Sequence, residues 1–416
     1  MKLNIPKCME SFLLRGYKEF RSNEDHLTIK EEQTLVARLV CGLQVQLFGM
    51  SEYKAFGDYK TFRSELKYRC LIFFPMAVCF YIVFSYGLLN FIIIEIEDDA
   101  MKIQVLAGLF SAVDKVAPLF LWMSYVVQSK NMFDLVQRYV MSGREMSLDM
   151  REFYRKLTLR LNFIQKTVQI NTAGGFVYHY FHKSFCFHSD PRFVCRTFTP
   201  LWFPFATNFF PAREVICIFI TCTISYLSLF LIYPTLNSYV IAELLDYKVK
   251  HLIKLIQETS LNRARDIQNI RASFKRIVDY HQEIQECFVL AREIIGVTSI
   301  PIVLGAAPFI AALSTSFLLD PNYAHMDELL TIFVLVYLWC DSSQKITDLG
   351  GILAEEVYAM DWYEMDVKLK SDFVLFLHKV QQPVEMKSLF FILNKPLLLS
   401  LGRSMYSVLM LILNKN

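Results

Sequence analysis

The last apolar run of the chain, residues 381–413, reads QQPVEMKSLFFILNKPLLLSLGRSMYSVLMLIL. It is long enough to cross a bilayer, yet it carries a charge, Arg403, and two hydroxyls, Ser404 and Ser407, within aliphatic sequence. A charge at mid-bilayer is costly and usually faces protein or water rather than lipid. The run therefore predicts a membrane helix that lines a water-filled path.

The composition indicates an integral membrane protein. Of the 416 residues, 54% are apolar and only 20% are charged, and uncharged apolar runs reach the length of a bilayer crossing. A net charge of +3 is too small to favour a nucleic-acid partner. The ten cysteines show no zinc or iron–sulfur spacing, so neither a metal nor a cofactor is expected. HExxH, GxSxG and Gly-rich phosphate motifs are missing from the sequence, which argues against an enzyme and leaves no catalytic candidates.

The apolar runs predict an all-α integral membrane bundle of seven transmembrane helices. The first six spans are expected at 71–94, 103–127, 157–181, 215–242, 294–319 and 329–340. The sixth is short for a crossing, so its helix is expected to run on through 341–344. The predicted organisation begins with an N-terminal cytosolic segment at 1–70 and spans one to four in 71–242, which include a long second extracellular loop at 182–213. A cytosolic helical hairpin at 243–293 and spans five and six in 294–340 follow. A cytosolic anchor connector at 341–384 leads to the seventh span, a pore helix, at 385–413.

The distribution of basic residues predicts the orientation. Most of the 43 Lys and Arg residues fall in the segments that an N-terminus inside the cell would leave in the cytosol, whereas the two shortest outer loops are acidic. The positive-inside rule therefore favours a cytosolic N-terminus and an extracellular C-terminus. A G-protein-coupled receptor has the opposite orientation, and its Asp-Arg-Tyr and Asn-Pro-x-x-Tyr signatures are missing from this sequence.

Two amphipathic stripes predict helices that project from the membrane into the cytosol. Beyond the fourth span, Leu245, Val249, Leu252 and Ile256 continue at 4-3-4 spacing. A second stripe leads into the fifth span: Ile270, Phe274, Ile277, His281, Ile284 and Phe288. Such heptad-like spacing gives one apolar face on each helix. His281 lies on this face and is interpreted as a core histidine bonded to a neighbour, in preference to a ligand or catalytic group.

In topology and motifs the chain resembles the insect odorant receptors. Residues 202–205, Trp-Phe-Pro-Phe, are similar to the family's Trp-Tyr-Pro-Phe before the fourth span, and His281 matches a histidine before the fifth. The ending Arg403–Ser407 is similar to the family's basic, hydroxyl and Ser-Tyr-Ser pattern, with Met405 in place of the first serine. The connector residues that match, and that the resemblance implies belong to the anchor, are Trp362, Tyr363, Gln381 and Pro383.

The resemblance implies an odorant-gated, non-selective cation channel subunit in the cell membrane of olfactory neurons, with the sensory dendrite as the expected site. Four subunits would surround one pore, with this chain as the odorant-specific subunit beside a shared co-receptor in a heterotetramer. The implied partners are a small volatile odorant, the co-receptor and the lipid bilayer, with no nucleic acid. The last-helix pattern implies that Tyr406, Leu409 and Leu413 line the pore and gate, where a hydrophobic constriction closes by dewetting.

The odorant is expected in an apolar pocket within the bundle, where burial supplies most of the binding energy. Depth in the bundle and side-chain type suggest these pocket residues: Tyr178, Phe219, Phe309, Phe333 and Tyr337. A seven-span chemosensory receptor that does not itself conduct, either gustatory-like or signalling through a coupled protein, remains the alternative. The Thr-Tyr and Gln-Phe pattern usual in the last span of gustatory receptors is missing from this sequence.

Overall fold

The architecture described below is that of a computed structural model. It describes the following residues: 60, 63–64, 78, 82, 86, 127–141, 152–153, 155–164, 166–167, 170, 174, 193–194, 201–206, 209–261, 267–319, 323–382, 384–388 and 391–413. Most of the predicted first two spans, Tyr178 and Pro383 lie outside these residues.

The described residues are almost entirely helical. The elements with defined bounds are α1 (Ser129–Met141), β1 (Phe193–Val194), β2 (Leu201–Trp202), α2 (Ala212–Leu261), α3 (Ile267–Leu319), α4 (Tyr323–Tyr358), a 3-10 turn (Trp362–Glu364), α5 (Val367–Val380) and α6 (Lys395–Leu413). The described residues between 152 and 174 are also helical. The all-helical expectation therefore holds, except for one small antiparallel hairpin that pairs Phe193 with Trp202 and Val194 with Leu201.

Helices α2 and α3 are unusually long, at 50 and 53 residues. At 1.5 Å per residue each measures about 75–80 Å, more than twice the hydrocarbon thickness of a bilayer. The stripe on α2 is fully buried, with Leu245, Val249 and Leu252 at 0% exposure. The stripe on α3 is buried from Phe274 to Phe288, and Ile270 packs at its edge. Both helices are thus confirmed as continuous with the predicted fourth and fifth spans, and their apolar faces meet in one core. Their projection into the cytosol stays a prediction.

Helices α2, α3 and α4 form the centre of this core, and α5 closes one end of it. Asp366 caps α5 by accepting a hydrogen bond from the backbone N–H of Leu369 at 3.0 Å. The buried side of α5 repeats at 4-3-4 spacing and comprises Leu369, Phe373, Phe376 and Val380. We call this end of the bundle, residues 243–261, 267–293 and 341–380, the anchor.

An aromatic cluster fills the space between α3 and α5. The ring of Phe274 lies 6.1 Å from that of Phe373 and 5.7 Å from that of Phe376. Trp362 stacks on Phe373 with its ring centroid 6.0 Å away and the planes 10° apart. His281 meets Phe376 edge to face at 5.1 Å. We call these five residues the aromatic cluster, and it holds the 3-10 turn and α5 against α3.

Helix α1 packs on the outside of α3 and is held by polar contacts. Arg138 forms an ion pair with Glu286, and the Asn131 side-chain amide donates to the Glu293 carboxylate at 2.6 Å. Met132 and Leu135 supply the apolar side of the contact and are nearly inaccessible. The segment after the predicted second span therefore belongs to the same core.

Two predicted boundaries change. The sixth helix runs on past residue 340, as expected, but continues without a break to Tyr358. The prediction that the last helix starts at residue 385 is wrong, because α6 begins at Lys395. The residues before it pair with each other through a bridge between Lys387 and Ile392. The apolar sequence of this segment predicts a helix, but its backbone hydrogen bonds pair the two sides of a loop.

Within the part of the chain that the structure describes, no helix combines the length and the apolar character that a membrane crossing requires. The predicted count of seven spans and the predicted orientation of the termini stay predictions.

Candidate functional site

Helix α6 begins at a tightly held N-terminus. Asn394 is its cap, since both its backbone carbonyl and its side-chain oxygen accept from the Leu397 N–H, the latter at 3.0 Å. The Lys395 ammonium lies 3.1 Å from the Asp341 carboxylate on α4. The Lys395 backbone N–H points to the Gln344 side-chain oxygen at 3.5 Å. These contacts tie the first turn of α6 to α4.

One side of α6 packs against the core and the other is exposed. Leu397, Leu398 and Leu401 pack against the buried cluster. The exposed side carries Leu399 at 66% exposure, Arg403, Tyr406 at 61% and Met410 at 37%. These positions repeat at 4-3-4 spacing, which on an α-helix is a single stripe. We call these four residues the α6 stripe.

The two serines on this part of α6 are bonded within the helix. The Ser404 hydroxyl donates to the Ser400 carbonyl and the Ser407 hydroxyl to the Arg403 carbonyl, each at 3.0 Å. Each hydroxyl has one proton and two lone pairs. With the proton used internally, the exposed oxygens can act as acceptors for water or a cation.

Of the predicted gate residues, the structure places Tyr406 on this stripe. Leu409 and Leu413 lie within α6, but their side chains are outside the described set. Arg403 is exposed on the same stripe, about one turn before Tyr406.

The predicted pocket residues are only partly brought together. Phe333 and Tyr337 lie one turn apart on α4, at 52% and 43% exposure. Phe219 on α2 is 51% exposed, and Phe309 lies on α3 with its side chain outside the described set. The structure thus shows a shared surface for Phe333 and Tyr337, and a pocket that encloses all five residues stays a prediction.

The predicted anchor residues separate into one buried contact and two surface positions. Trp362 is half-buried against Phe373, whereas Tyr363 is 57% exposed and its hydroxyl donates to Asp361 at 2.9 Å. Gln381 is exposed at the end of α5, where its backbone N–H bonds to the Leu377 carbonyl at 3.0 Å. The predicted break between two helical pieces at Trp362 and Tyr363 is confirmed by the 3-10 turn there.

His281 is a buried core residue, as predicted. It is 3% exposed, and its Nε2 lies 3.3 Å from the Gln285 side-chain nitrogen. Burial, and to a smaller extent the positive charge of Lys379, lowers the pKa of His281 to about 4. The imidazole is therefore neutral at physiological pH, and its contact with Phe376 is that of a neutral ring.

A groove of about 670 Å³ runs beside His281 between α3 and α5. Its floor is apolar, with Phe274, Val278 and Phe376, and cationic side chains including Arg271 and Lys275 lie along it. The sequence alone does not predict this groove, because it depends on how the stripes of two helices distant in sequence meet.

Ionic contacts join the helices within the anchor. The Lys345 ammonium on α4 lies 2.7 Å from the Glu243 carboxylate and 3.3 Å from that of Asp246, both on α2. Burial by itself lowers the pKa of Lys345, but its bonds to Glu243 and Asp246 outweigh this and raise the pKa. The side chain is therefore held as a cation between α2 and α4.

A more deeply buried pair joins α2 to α3. Lys248 is 2% exposed and lies 2.5 Å from the Glu283 carboxylate, with its ammonium 5.9 Å from the centre of the Tyr280 ring. Close by in the core, burial raises the pKa of the Cys287 thiol and keeps it protonated. Among the described residues, no group of three His, Cys, Asp or Glu side chains is arranged to hold a metal ion.

Comparison with known proteins gives the family. A model of the 7tm odorant receptor family matches residues 95–406. The solved structure of the insect olfactory receptor OR5 from Machilis hrabei is similar in fold, with a TM-score of 0.65 at 17% identity over 85% of this chain and 90% of that chain. The same receptor in complex with eugenol gives a TM-score of 0.64 at the same identity and coverage. No curated protein sequence matches the chain.

The family match confirms the resemblance read from the last helix, from residues 202–205 and from the anchor connector. Odorant receptors are membrane-embedded sensory receptors and not a class of enzymes. Because the family model spans most of the sequence and the similar fold agrees with it, this chain belongs to the 7tm odorant receptor family.

Proposed function

We propose that this chain is an odorant-gated, non-selective cation channel subunit, and that α6 lines the pore. The single observation that carries the proposal is the exposed α6 stripe, which lies opposite the side that packs on the core. A stripe that faced only lipid would exclude Arg403, because a charge in hydrocarbon costs several kcal/mol. Water in a pore accounts for the exposed arginine and for the two exposed serine oxygens beside it.

The gate is assigned to the outer part of the same helix. Positions 409 and 413 follow Tyr406 by three and seven residues, and such positions share one side of an α-helix. A ring of leucines contributed by several subunits forms a hydrophobic constriction, which excludes water and ions when it is narrow. Arg403 lies before this constriction as a vestibule charge, since a cationic ring at the gate itself would repel cations.

The ligand class is a small, largely apolar volatile. Phe333 and Tyr337 supply two aromatic surfaces and one hydroxyl on adjacent turns of α4, and we group them with Tyr178, Phe219 and Phe309 as the pocket. Such walls bind by burial with few orienting hydrogen bonds. The complex of the similar Machilis hrabei receptor with eugenol supports a small aromatic molecule as a ligand class.

The assembly is a heterotetramer with a shared co-receptor in the cell membrane of sensory dendrites. Within each subunit the anchor is built from parts of α2 to α5, and its exposed apolar residues, such as Val367 at 86% and Leu375 at 68%, are available for contact with neighbouring subunits. Trp362 and Tyr363 belong to this region, and the other two proposed anchor residues, Gln381 and Pro383, directly follow α5 in the sequence.

The experiment is whole-cell recording from cells that express the chain with an insect co-receptor, during application of a panel of volatiles. We expect an odour-evoked current that requires this chain and reverses near zero voltage with mixed sodium and potassium solutions. Tyr337→Ala should raise the half-maximal odorant concentration. Phe209→Ala is the control for loss of an exposed aromatic side chain, because Phe209 is 57% exposed and lies outside both the proposed pocket and the anchor. A second-messenger response without current would instead show a non-conducting receptor.

A further inference from the structure

We propose that the loop between α5 and α6 couples α3 to the last helix through a backbone contact at Gly296. We call residues 384–388 and 391–394 the docking loop. Gly296 is then a positioning residue for gating. This inference rests on the proposed channel function and names the element that transmits movement to α6.

The docking loop touches α3 more closely than any side chain would allow. A Cβ added to Gly296 would lie 2.6 Å from the Lys387 carbonyl oxygen and 3.7 Å from the Ser388 Cα. Cβ atoms in proteins essentially never come within 3.0 Å of another heavy atom. Only glycine permits this approach of two backbones.

A hydrogen bond fastens the same point. The Ser388 hydroxyl donates to the Gly296 carbonyl at 2.9 Å, and the Ser299 hydroxyl one turn along α3 donates to the same carbonyl at 3.0 Å. Steric contact and hydrogen bonding therefore coincide at one position on α3. Because the two backbones are in direct contact, a shift of α3 at Gly296 also displaces the docking loop. No flexible side chain lies between them to absorb the movement.

Backbone hydrogen bonds join the two arms of the docking loop, so that it can transmit a displacement of α3 to α6. Lys387 and Ile392 form an antiparallel bridge, and the backbone bonds from Ser388 N–H to Phe391 and from Leu393 N–H to Met386 are each 2.9 Å. The side chains of Met386 and Leu393 are 1% and 0% exposed. The two described arms of the loop are therefore paired and packed against the core, and do not form a flexible linker.

The far end of the docking loop is the first turn of α6. Asn394 caps that helix, and Lys395 joins it to Asp341 on α4. Gly350 on α4 also meets the loop, since a Cβ there would lie 3.5 Å from the Val384 side chain. Helix α6 thus starts from a hairpin that rests on both α3 and α4.

Helix α3 joins this contact to the proposed pocket. It is continuous from Ile267 to Leu319. Position 309, assigned to the pocket, lies about 20 Å further along the helix from Gly296 at 1.5 Å per residue. A tilt of α3 on odorant binding therefore displaces Gly296, and the docking loop passes that displacement to α6.

The test compares Gly296→Ala with Gly351→Ala, recorded with the co-receptor and an activating volatile. A Cβ at Gly351 on α4 meets nothing within 4 Å, so this variant changes helix propensity without a steric effect. We expect Gly296→Ala to shift the half-maximal odorant concentration or the unstimulated current by about fivefold or more, because the loop backbone must move. Surface labelling checks that both variants reach the membrane in equal amounts.

Ser388→Ala is a second test, which is decisive if Gly296→Ala does not reach the cell surface. This variant removes the hydrogen bond from Ser388 to the Gly296 carbonyl but adds no atoms to the contact. We expect a smaller shift in the same direction, and a double variant whose effect is less than the product of the single effects, because both act on one contact. A fold that was merely weakened would lower surface expression and leave the concentration dependence unchanged.

If Gly296→Ala and Ser388→Ala match Gly351→Ala in concentration dependence and unstimulated current, the coupling role is refuted while the channel function stands. If the unaltered chain gives no odour-evoked current with the co-receptor, the proposed function fails, and the coupling role falls with it.

Discussion

Replacing Phe373 by alanine removes the central ring of the aromatic cluster. Phe373 is 0% exposed and contacts both Trp362 and Phe274 with ring centroids about 6 Å apart. Phe→Ala changes at fully buried positions cost about 3–5 kcal/mol, which includes the cavity left behind. We therefore expect the packing of α5 against α3 to weaken by about 4 kcal/mol.

Hydrogen exchange of the full-length chain, purified in detergent and followed by mass spectrometry, measures this change locally. Where exchange follows local opening, a loss of about 3–5 kcal/mol speeds it by roughly 10²- to 5 × 10³-fold, up to the limit of complete opening. The effect should appear in peptides from Val367–Val380 and in the facing part of α3. Peptides from α1 should change little.

Val374→Ala is the matched control on the same helix, because Val374 is 55% exposed and points away from the cluster. Phe373→Leu retains most of the buried volume and should fall between the two. If Phe373→Ala accelerates exchange no more than Val374→Ala does, the packing of the anchor described above is wrong.

Two further predictions concern buried charge in the anchor. The pKa of His281 in the folded chain is about 4, below its ordinary value of 6.5. Between these two values the unfolded chain therefore binds more protons than the folded chain does. The free energy of unfolding should fall as pH drops from about 6.5 to about 4, by about 3 kcal/mol in all. The fall in melting temperature between pH 7 and pH 5 should be smaller in His281→Leu than in the unaltered chain. His378→Gln, a change at an exposed histidine, should show the full fall. An equal fall in all three proteins would contradict this prediction. Lys248→Met should destabilise the chain by about 2 kcal/mol or more, because Glu283 loses its buried partner. In thermal unfolding, Lys248→Met with Glu283→Leu should recover much of this loss, and a double variant no better than the single one would argue against the pair.

The helical framework follows from the sequence because its signals are local. The alternating three- and four-residue spacing from Leu245 to Ile256 and from Phe274 to Phe288 predicts helices that continue beyond the fourth and before the fifth span, and the faces that they bury. The structure confirms this continuity and these faces. The sequence also predicts that His281 is a core residue, because it lies on one of these faces, and the structure confirms this. The break predicted between two helical pieces at Trp362 and Tyr363 is also confirmed, and a 3-10 turn occupies it.

The features that depend on distant segments were missed. The apolar sequence predicts that the last helix starts at residue 385, whereas Lys387 pairs with Ile392 across a loop and α6 begins at Lys395. In the sequence, Gly296 is one small residue within an apolar helix. The need for glycine is evident only in the structure, where the Lys387 carbonyl oxygen occupies the space that a Cβ would need. The ion pairs from Lys248 and Lys345 join residues far apart in sequence, so the linear pattern does not pair them.

The central claim is that α6 lines a conducting pore, and cysteine accessibility tests it most directly. Leu409→Cys and Leu413→Cys, expressed with the co-receptor, are exposed to a positively charged thiol reagent while odorant is present. Helix α6 contains no cysteine of its own, and the unaltered chain controls for cysteines elsewhere. We predict that the reagent reduces the odour-evoked current in these variants and not in the unaltered chain. Currents that the reagent leaves unchanged at both positions, with reaction at the cysteines verified by mass spectrometry, would contradict a pore lined by this helix.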